Sequence, residues 1–241
     1  MVSLYGYSRS RWQGCHDNRW LEGYWQATAL RLARDGAKVV IQHLSDDKGV
    51  QEVVDEIGEL SALAVKGNAG SVADSEELIR RTVERFGRID SIIANAGSLP
   101  IRDLASTSEQ DFHDCMDKAV PHLHPGARVI LVSSALCHVS TVSPLYLLYL
   151  TTQGAIEQMI RVLAKDLGSK EITVNAIAPD STDTELVTPG NSETALNAIK
   201  GMVPNGRLGT PEEMAETMAY FSCSASAWVS GQILRVNGSM A

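Results

Sequence analysis

Short, nearly all-apolar runs alternate along this chain with longer stretches whose apolar residues recur at helical period. That alternation leaves little choice of architecture: strands buried on both faces need helices on both faces, which means a mostly parallel sheet. The runs are Lys38 to Ile41, Ala62 to Val65, Arg88 to Ala94, Val129 to Val132, Ile172 to Pro179 and Gly231 to Val236. Helices are predicted over Gln26 to Gly36, Gly49 to Leu60 and Ser71 to Phe86, the last opened by Ser71 and closed by Gly87. Another follows Tyr149, with Ile156, Met159, Ile160, Leu163 and Leu167 on one stripe and Gly168 as its stop, and a further one starts at Pro211. With 241 residues, 44% of them hydrophobic, the chain suits one domain with a sizeable core. The predicted fold is α/β: a single doubly wound parallel-sheet, Rossmann-like domain over residues 26–241.

Charge and composition exclude several classes of function. A net charge of −8 without a basic cluster argues against nucleic acid or an anionic membrane as partner. No apolar run approaches the roughly 18 residues of a membrane span. Cys15, Cys115, Cys137 and Cys223 are too scattered for a disulfide framework, so a reducing, cytoplasmic setting is expected. The first 25 residues hold no apolar core of a secretory signal. His113, His122, His124 and His138 stand in no zinc-ligand spacing, and no metal site is expected.

In open α/β sheets ligands bind beyond the carboxyl ends of the strands. Ser133 and Ser134 follow the run ending at Val132, Tyr149 heads the next helix, and Gln153 stands four residues on. Asn95, Ala96 and Gly97 close the run from Arg88, and Pro179 closes that from Ile172, with Asp180 to Thr184 beyond it. Alone, the serines and Tyr149 read as a serine-rich loop before a helix with a core tyrosine. Together these residues resemble the motifs of the classical short-chain dehydrogenase/reductase family: Ser134 and Tyr149 match its serine and tyrosine, Asn95-Ala96-Gly97 its strand-to-loop turn, and Pro179 to Thr184 the segment over its cofactor. Gln153 departs from the pattern, because the family has lysine there.

The resemblance implies an oxidoreductase that interconverts a ketone and a secondary alcohol. Tyr149 would pass a proton to or from the oxygen while a nicotinamide carries the hydride, and Ser134 would hydrogen-bond the developing oxyanion. A free tyrosine has a pKa of about 10, and the family's lysine supplies the positive charge that lowers it. Gln153 could hold the nicotinamide ribose but cannot favour a tyrosinate. Asn95 would tie neighbouring strands, Gly97 would let backbone pass the cofactor, and Thr184 would meet its carboxamide, with Asp180 in place of a glycine. Asn68 would substitute for an aspartate beside the adenine. No acid stands at Gln42 or His43, where members that prefer NAD typically carry one, so NADP(H) is expected over NAD(H), with Asp46 and Asp47 a few residues on as the counter-indication. The small-molecule partner is a carbonyl compound or alcohol. A homo-oligomer is possible on family grounds, weakened by the short helix expected over Thr107 to Val120 before Pro121.

The N-terminal residues do not fit. Trp12, Trp20 and Trp25 crowd among arginines and tyrosines without a period, and Gly23 is the only glycine where the family's glycine-rich turn should stand. Tryptophan has a single codon, TGG, and a reading one base later turns each into a glycine codon. In that frame Trp12 to Trp25 can encode an apolar strand followed by Thr-Gly-x-x-x-Gly-x-Gly, rejoining the written frame at Gln26. Residues 1–25 are thus expected to be an atypical segment, a shifted-frame reading of the first strand and turn or an unrelated extension that replaces them. The alternative function follows from the same defects: a catalytically impaired relative that binds cofactor poorly.

Overall fold

A computed structural model describes residues 2–5, 22–69, 71–95, 123–184 and 192–240. The strands are β1 (Val2–Tyr5), β2 (Val39–His43), β3 (Ala62–Lys66), β4 (Ile89–Ala94), β5 (Leu123–Val132), β6 (Thr173–Pro179) and β7 (Ile233–Val236). The helices are α1 (Glu22–Arg34), α2 (Asp47–Ile57), α3 (Val72–Phe86), α4 (Leu147–Asp166), α5 (Glu193–Met202) and α6 (Pro211–Ser222). The strands form one sheet in the order β3-β2-β1-β4-β5-β6-β7, every neighbouring pair parallel. This is the doubly wound Rossmann order, whose switch point between β1 and β4 opens a crevice at the strands' carboxyl ends.

Side-chain alternation sorts the core into two faces. Val39 and Ile41 of β2, with Ile93, Ile130, Val132 and Ile177, pack against α1, α2 and α6. Val40, Val65 and Ile92 face α3, while Val129, Leu131, Val174 and Ala176 face α4. Each such valine, leucine or isoleucine side chain contributes about 1.5–3 kcal/mol by leaving water. The caps are those expected: Ser71 Oγ accepts the Asp74 N–H, and Gly87, at φ 83°, ends α3 in the left-handed region that glycine enters without penalty.

Three boundaries differ from the sequence reading. Val2–Tyr5 takes the central strand position, pairing with β2 and β4, although the N-terminal residues show no strand period. Helix α1 reaches back to Glu22, and Tyr24 and Trp25 are core residues, both 6% exposed. The lack of a period around Trp25 hides this, because the two aromatic rings join the core cluster of α1 and the sheet. Strand β5 begins at Leu123, earlier than Val129, because Leu123 pairs with Ile89 before a register irregularity carries the chain over Pro125 and Gly126 to Arg128 opposite Ser91. The shifted-frame stretch before Glu22 and the helix expected over Thr107 to Val120 lie outside the described residues. Among the described residues no helix is long and apolar enough to cross a membrane.

Candidate active site

The site stands where β4, β5 and β6 end. Strand β5 delivers Ser133 and Ser134, both buried, and Ser134 opens a 3-10 turn by accepting the Leu136 N–H at 3.2 Å. Ser143 and Pro144 start a second short turn that leads into α4. Tyr149 lies in the first turn of α4, and Gln153 follows one turn later on the same face. The three residues meet: Gln153 Nε2 donates to the Tyr149 hydroxyl at 3.3 Å, and that hydroxyl shares a hydrogen bond with Ser134. Burial pushes the Tyr149 phenol above its ordinary pKa, and the bonds from Ser134 and Gln153 only partly oppose it. The Tyr146 ring lies 6.3 Å from that of Tyr149, tilted by 57°. Val142, Leu145 and Leu147 leave the adjoining lip apolar and exposed.

The segment after β6 forms the opposite wall. Pro179 ends the strand and is buried. Asp180 Oδ1 accepts from the Ser181 N–H at 2.6 Å, while its Oδ2 is buried without a hydrogen-bond partner among the described residues. Thr184 is 4% exposed, and its Oγ1 likewise lacks a partner there. Gly23 is brought to Thr184: a Cβ on Gly23 would lie 2.8 Å from the threonine methyl, so the first turn of α1 approaches this wall only because residue 23 has no side chain.

Tyr24, which the sequence reading passed over, completes this corner. It is buried, its hydroxyl is hydrogen-bonded to Thr182, and it lies within the field of Tyr149 and Asp180. Burial, the largest cause, drives its pKa far above the ordinary tyrosine value. Its only sequence signal was its place beside Gly23.

The far end of the crevice lies at β2 and β3. Gln42 is fully buried, and both polar atoms of its amide are unpaired among the described residues. His43 is buried beside it, and its Nδ1 faces Asp47 Oδ1 at 3.3 Å, within ion-pair range though poorly aligned for a hydrogen bond. Burial holds the His43 pKa below the usual histidine value, with Asp47 opposing. Asp46 turns back to accept the Gly49 N–H, and Asp47 is bound by Lys66 Nζ at 2.7 Å. The Asn68 N–H donates to Asp74 Oδ2 at 2.7 Å. Asn95 is buried where β4 ends, whereas Ala96 and Gly97 lie outside the described residues.

A family model described as Enoyl-(Acyl carrier protein) reductase matches residues 23–240, and the chain belongs to the short-chain dehydrogenase/reductase family. It is similar to hydroxynaphthalene reductase-like protein Arp2 of Metarhizium anisopliae, with 30% identity over 90% of each chain. It is 31% identical to the short chain dehydrogenase mdpC of Emericella nidulans over 91% of each. A short chain dehydrogenase of Burkholderia cenocepacia, solved in complex with NADP, shares 26% identity and a TM-score of 0.78 over 89% of this chain and 91% of that one. A short-chain dehydrogenase/reductase from Serratia marcescens superposes with a TM-score of 0.82 over 99% and 97% at 22% identity, which bears on the fold alone.

The described residues suit a nicotinamide dinucleotide at both ends of the crevice. A carboxamide presents one acceptor and two donors, complementary to the Thr184 hydroxyl and the Asp180 carboxylate, each with a buried polar atom left unpaired. At the other end the unpaired Gln42 amide offers the same to an adenosine. Buried polar atoms without partners are costly unless a ligand or water completes them. The turn that would hold the phosphates falls on residues before Gly23, outside the described residues apart from Glu22.

Proposed function

We propose that the protein is an NADP(H)-preferring oxidoreductase that reduces a ketone to a secondary alcohol and can run the reverse reaction. The observation that carries this reading is the convergence of Ser134 and Gln153 on the Tyr149 hydroxyl. When bound, the cofactor supplies the hydride. Tyr149 gives its proton to the carbonyl oxygen, Ser134 stabilises charge on that oxygen, and Gln153 holds both the phenol and a ribose hydroxyl. Thr184 and Asp180 fix the carboxamide, Pro179 and Asn95 frame the site, and the family resemblance assigns Ala96 and Gly97 to the cofactor.

Two observations favour NADP(H). Both acids near the end of β2 are engaged, Asp46 with the Gly49 N–H and Asp47 with Lys66, and Lys66 places a cation there. His43 and Asn68 then border the adenosine. The exposed apolar lip from Val142 to Leu147 beside the Tyr146 ring suits a ketone fused to or flanked by an aromatic ring, in keeping with the name of the Arp2 relative. Loss of NADPH absorbance should accordingly be faster with fused-ring aromatic ketones than with small aliphatic ones. Equal or faster turnover of the aliphatic ketones would refute the substrate class.

One observation favours a second reading, an impaired relative. Among the described residues no cation acts on the Tyr149 phenol, whose pKa is pushed up rather than down. Absence of NADPH binding would establish that reading over the first.

A further inference from the structure

Glu157 is the only acid among the described residues that is buried, at 7% exposed, and the reaction proposed above does not use it. A buried carboxylate is costly unless hydrogen bonds and a counter-charge accompany it. Its partners are therefore informative. Its Oε1 accepts from Ser133 Oγ at 3.0 Å and faces His138 Nε2 at 3.1 Å. Both come from the short stretch that follows β5 and carries Ser134. The Cys137 thiol, which shares a hydrogen bond with Ser133, lies in the same cluster and feels the Glu157 charge.

The other half of the geometry is helical. Tyr149, Gln153 and Glu157 stand at successive i, i+4 positions of α4 and so share one face. That face meets the loop at two levels: the phenol bonds Ser134, and two turns on the carboxylate bonds the neighbouring Ser133. Ser134 itself sits where its position depends on the turn it opens, through the Leu136 N–H to its Oγ and the Cys137 N–H to its carbonyl. A single hydrogen bond between two elements leaves their relative tilt free, whereas two along one helix face fix both distance and tilt.

We infer that Glu157 is a positioning residue: it ties the turn bearing Ser134 to the helix bearing Tyr149, and so holds the oxyanion donor in line with the proton donor. The tie does its work in the reaction proposed above and rests on that reading for its catalytic consequence. Glu157 touches neither reacting group and transfers no proton. Glutamine can replace it in large part, because an amide oxygen still accepts from Ser133. Alanine cannot.

The test compares Glu157→Gln and Glu157→Ala with the parent in two measurements. The first is NADPH-dependent ketone reduction, in which displacement of a donor by about an ångström is expected to lower kcat of Glu157→Ala by about 30-fold. The Michaelis constant for NADPH stays within about 2-fold and Glu157→Gln recovers most of kcat, since neither cofactor contact nor the accepting oxygen is lost. The second is amide hydrogen exchange over residues 133–139, expected to accelerate in Glu157→Ala and much less in Glu157→Gln. Unchanged exchange in Glu157→Ala overturns the tie. Faster exchange with unchanged kcat overturns the positioning role and leaves a merely structural one. A parent without turnover sinks the oxidoreductase reading instead, and exchange then decides the tie alone: accelerated only in Glu157→Ala upholds it, any other pattern overturns it.

Discussion

Tyr149→Phe should lower ketone reduction by about 10³-fold, the scale of a lost general acid, while the melting temperature of the protein stays close to that of the parent. The ring remains to fill its half-buried place between Ser134 and Tyr146, and only the hydroxyl goes. Steady-state rates at saturating NADPH measure the effect directly. The hydroxyl is the group on which the Ser134 and Gln153 side chains converge, which makes it, among the described residues, the acid placed to protonate a carbonyl that Ser134 also meets. Tyr24 is the nearest rival, a second phenol in the same field, yet it is bonded to Thr182 and sits deeper. A Tyr149→Phe rate within a few-fold of the parent would move the proton-transfer role to Tyr24 or to water.

Gln153→Lys should act in the opposite direction. Burial raises the Tyr149 pKa, and the neutral amide of Gln153 only weakly counters it. An ammonium at that position favours the tyrosinate by roughly one to three pKa units, each worth about 1.4 kcal/mol. The sign differs with reaction direction. Alcohol oxidation needs the tyrosinate as base, so its rate climbs as pH rises through the phenol pKa, and the substitution shifts that climb to lower pH. At neutral pH oxidation should gain about tenfold or more. Ketone reduction needs the protonated phenol and falls above the pKa, so its alkaline limb should move down by the same amount. Identical pH profiles for parent and Gln153→Lys would show that residue 153 does not govern the tyrosine.

Most of the fold was legible because buried strands and amphipathic helices carry their own periods. Val39 to Ile41, Ile89 to Ala94 and Ile172 to Pro179 are apolar on both faces, and Ser71 with Gly87 marks α3 by local backbone chemistry alone. Val2–Tyr5 was not legible, because four residues are too few to show a period and their strand identity comes from the β2 and β4 edges that flank them. The meeting of Ser134, Tyr149 and Gln153 could be read from a motif, since each stands at a fixed place relative to a strand end or helix start. Tyr24 and Glu157 could not. A tyrosine after a glycine and a glutamate inside a helix look like ordinary residues until the fold brings Thr182 to one and Ser133 with His138 to the other. Asp180 stands where the family has glycine, and its buried Oδ2, unpaired among the described residues, is what the proposed reading pairs with a carboxamide.

The central claim is that the crevice above β4, β5 and β6 takes a nicotinamide dinucleotide against Tyr149. Titration of the purified protein with NADPH, followed by nucleotide fluorescence and repeated with NADH, tests it before any substrate is known. Expected is saturable binding of NADPH below about 1 mM, within the ordinary range for enzymes, tighter than that of NADH and weakened in Thr184→Val and Asp180→Ala. No binding of either nucleotide at that concentration would contradict it, and would mark the chain as a family member that keeps the fold without the cofactor.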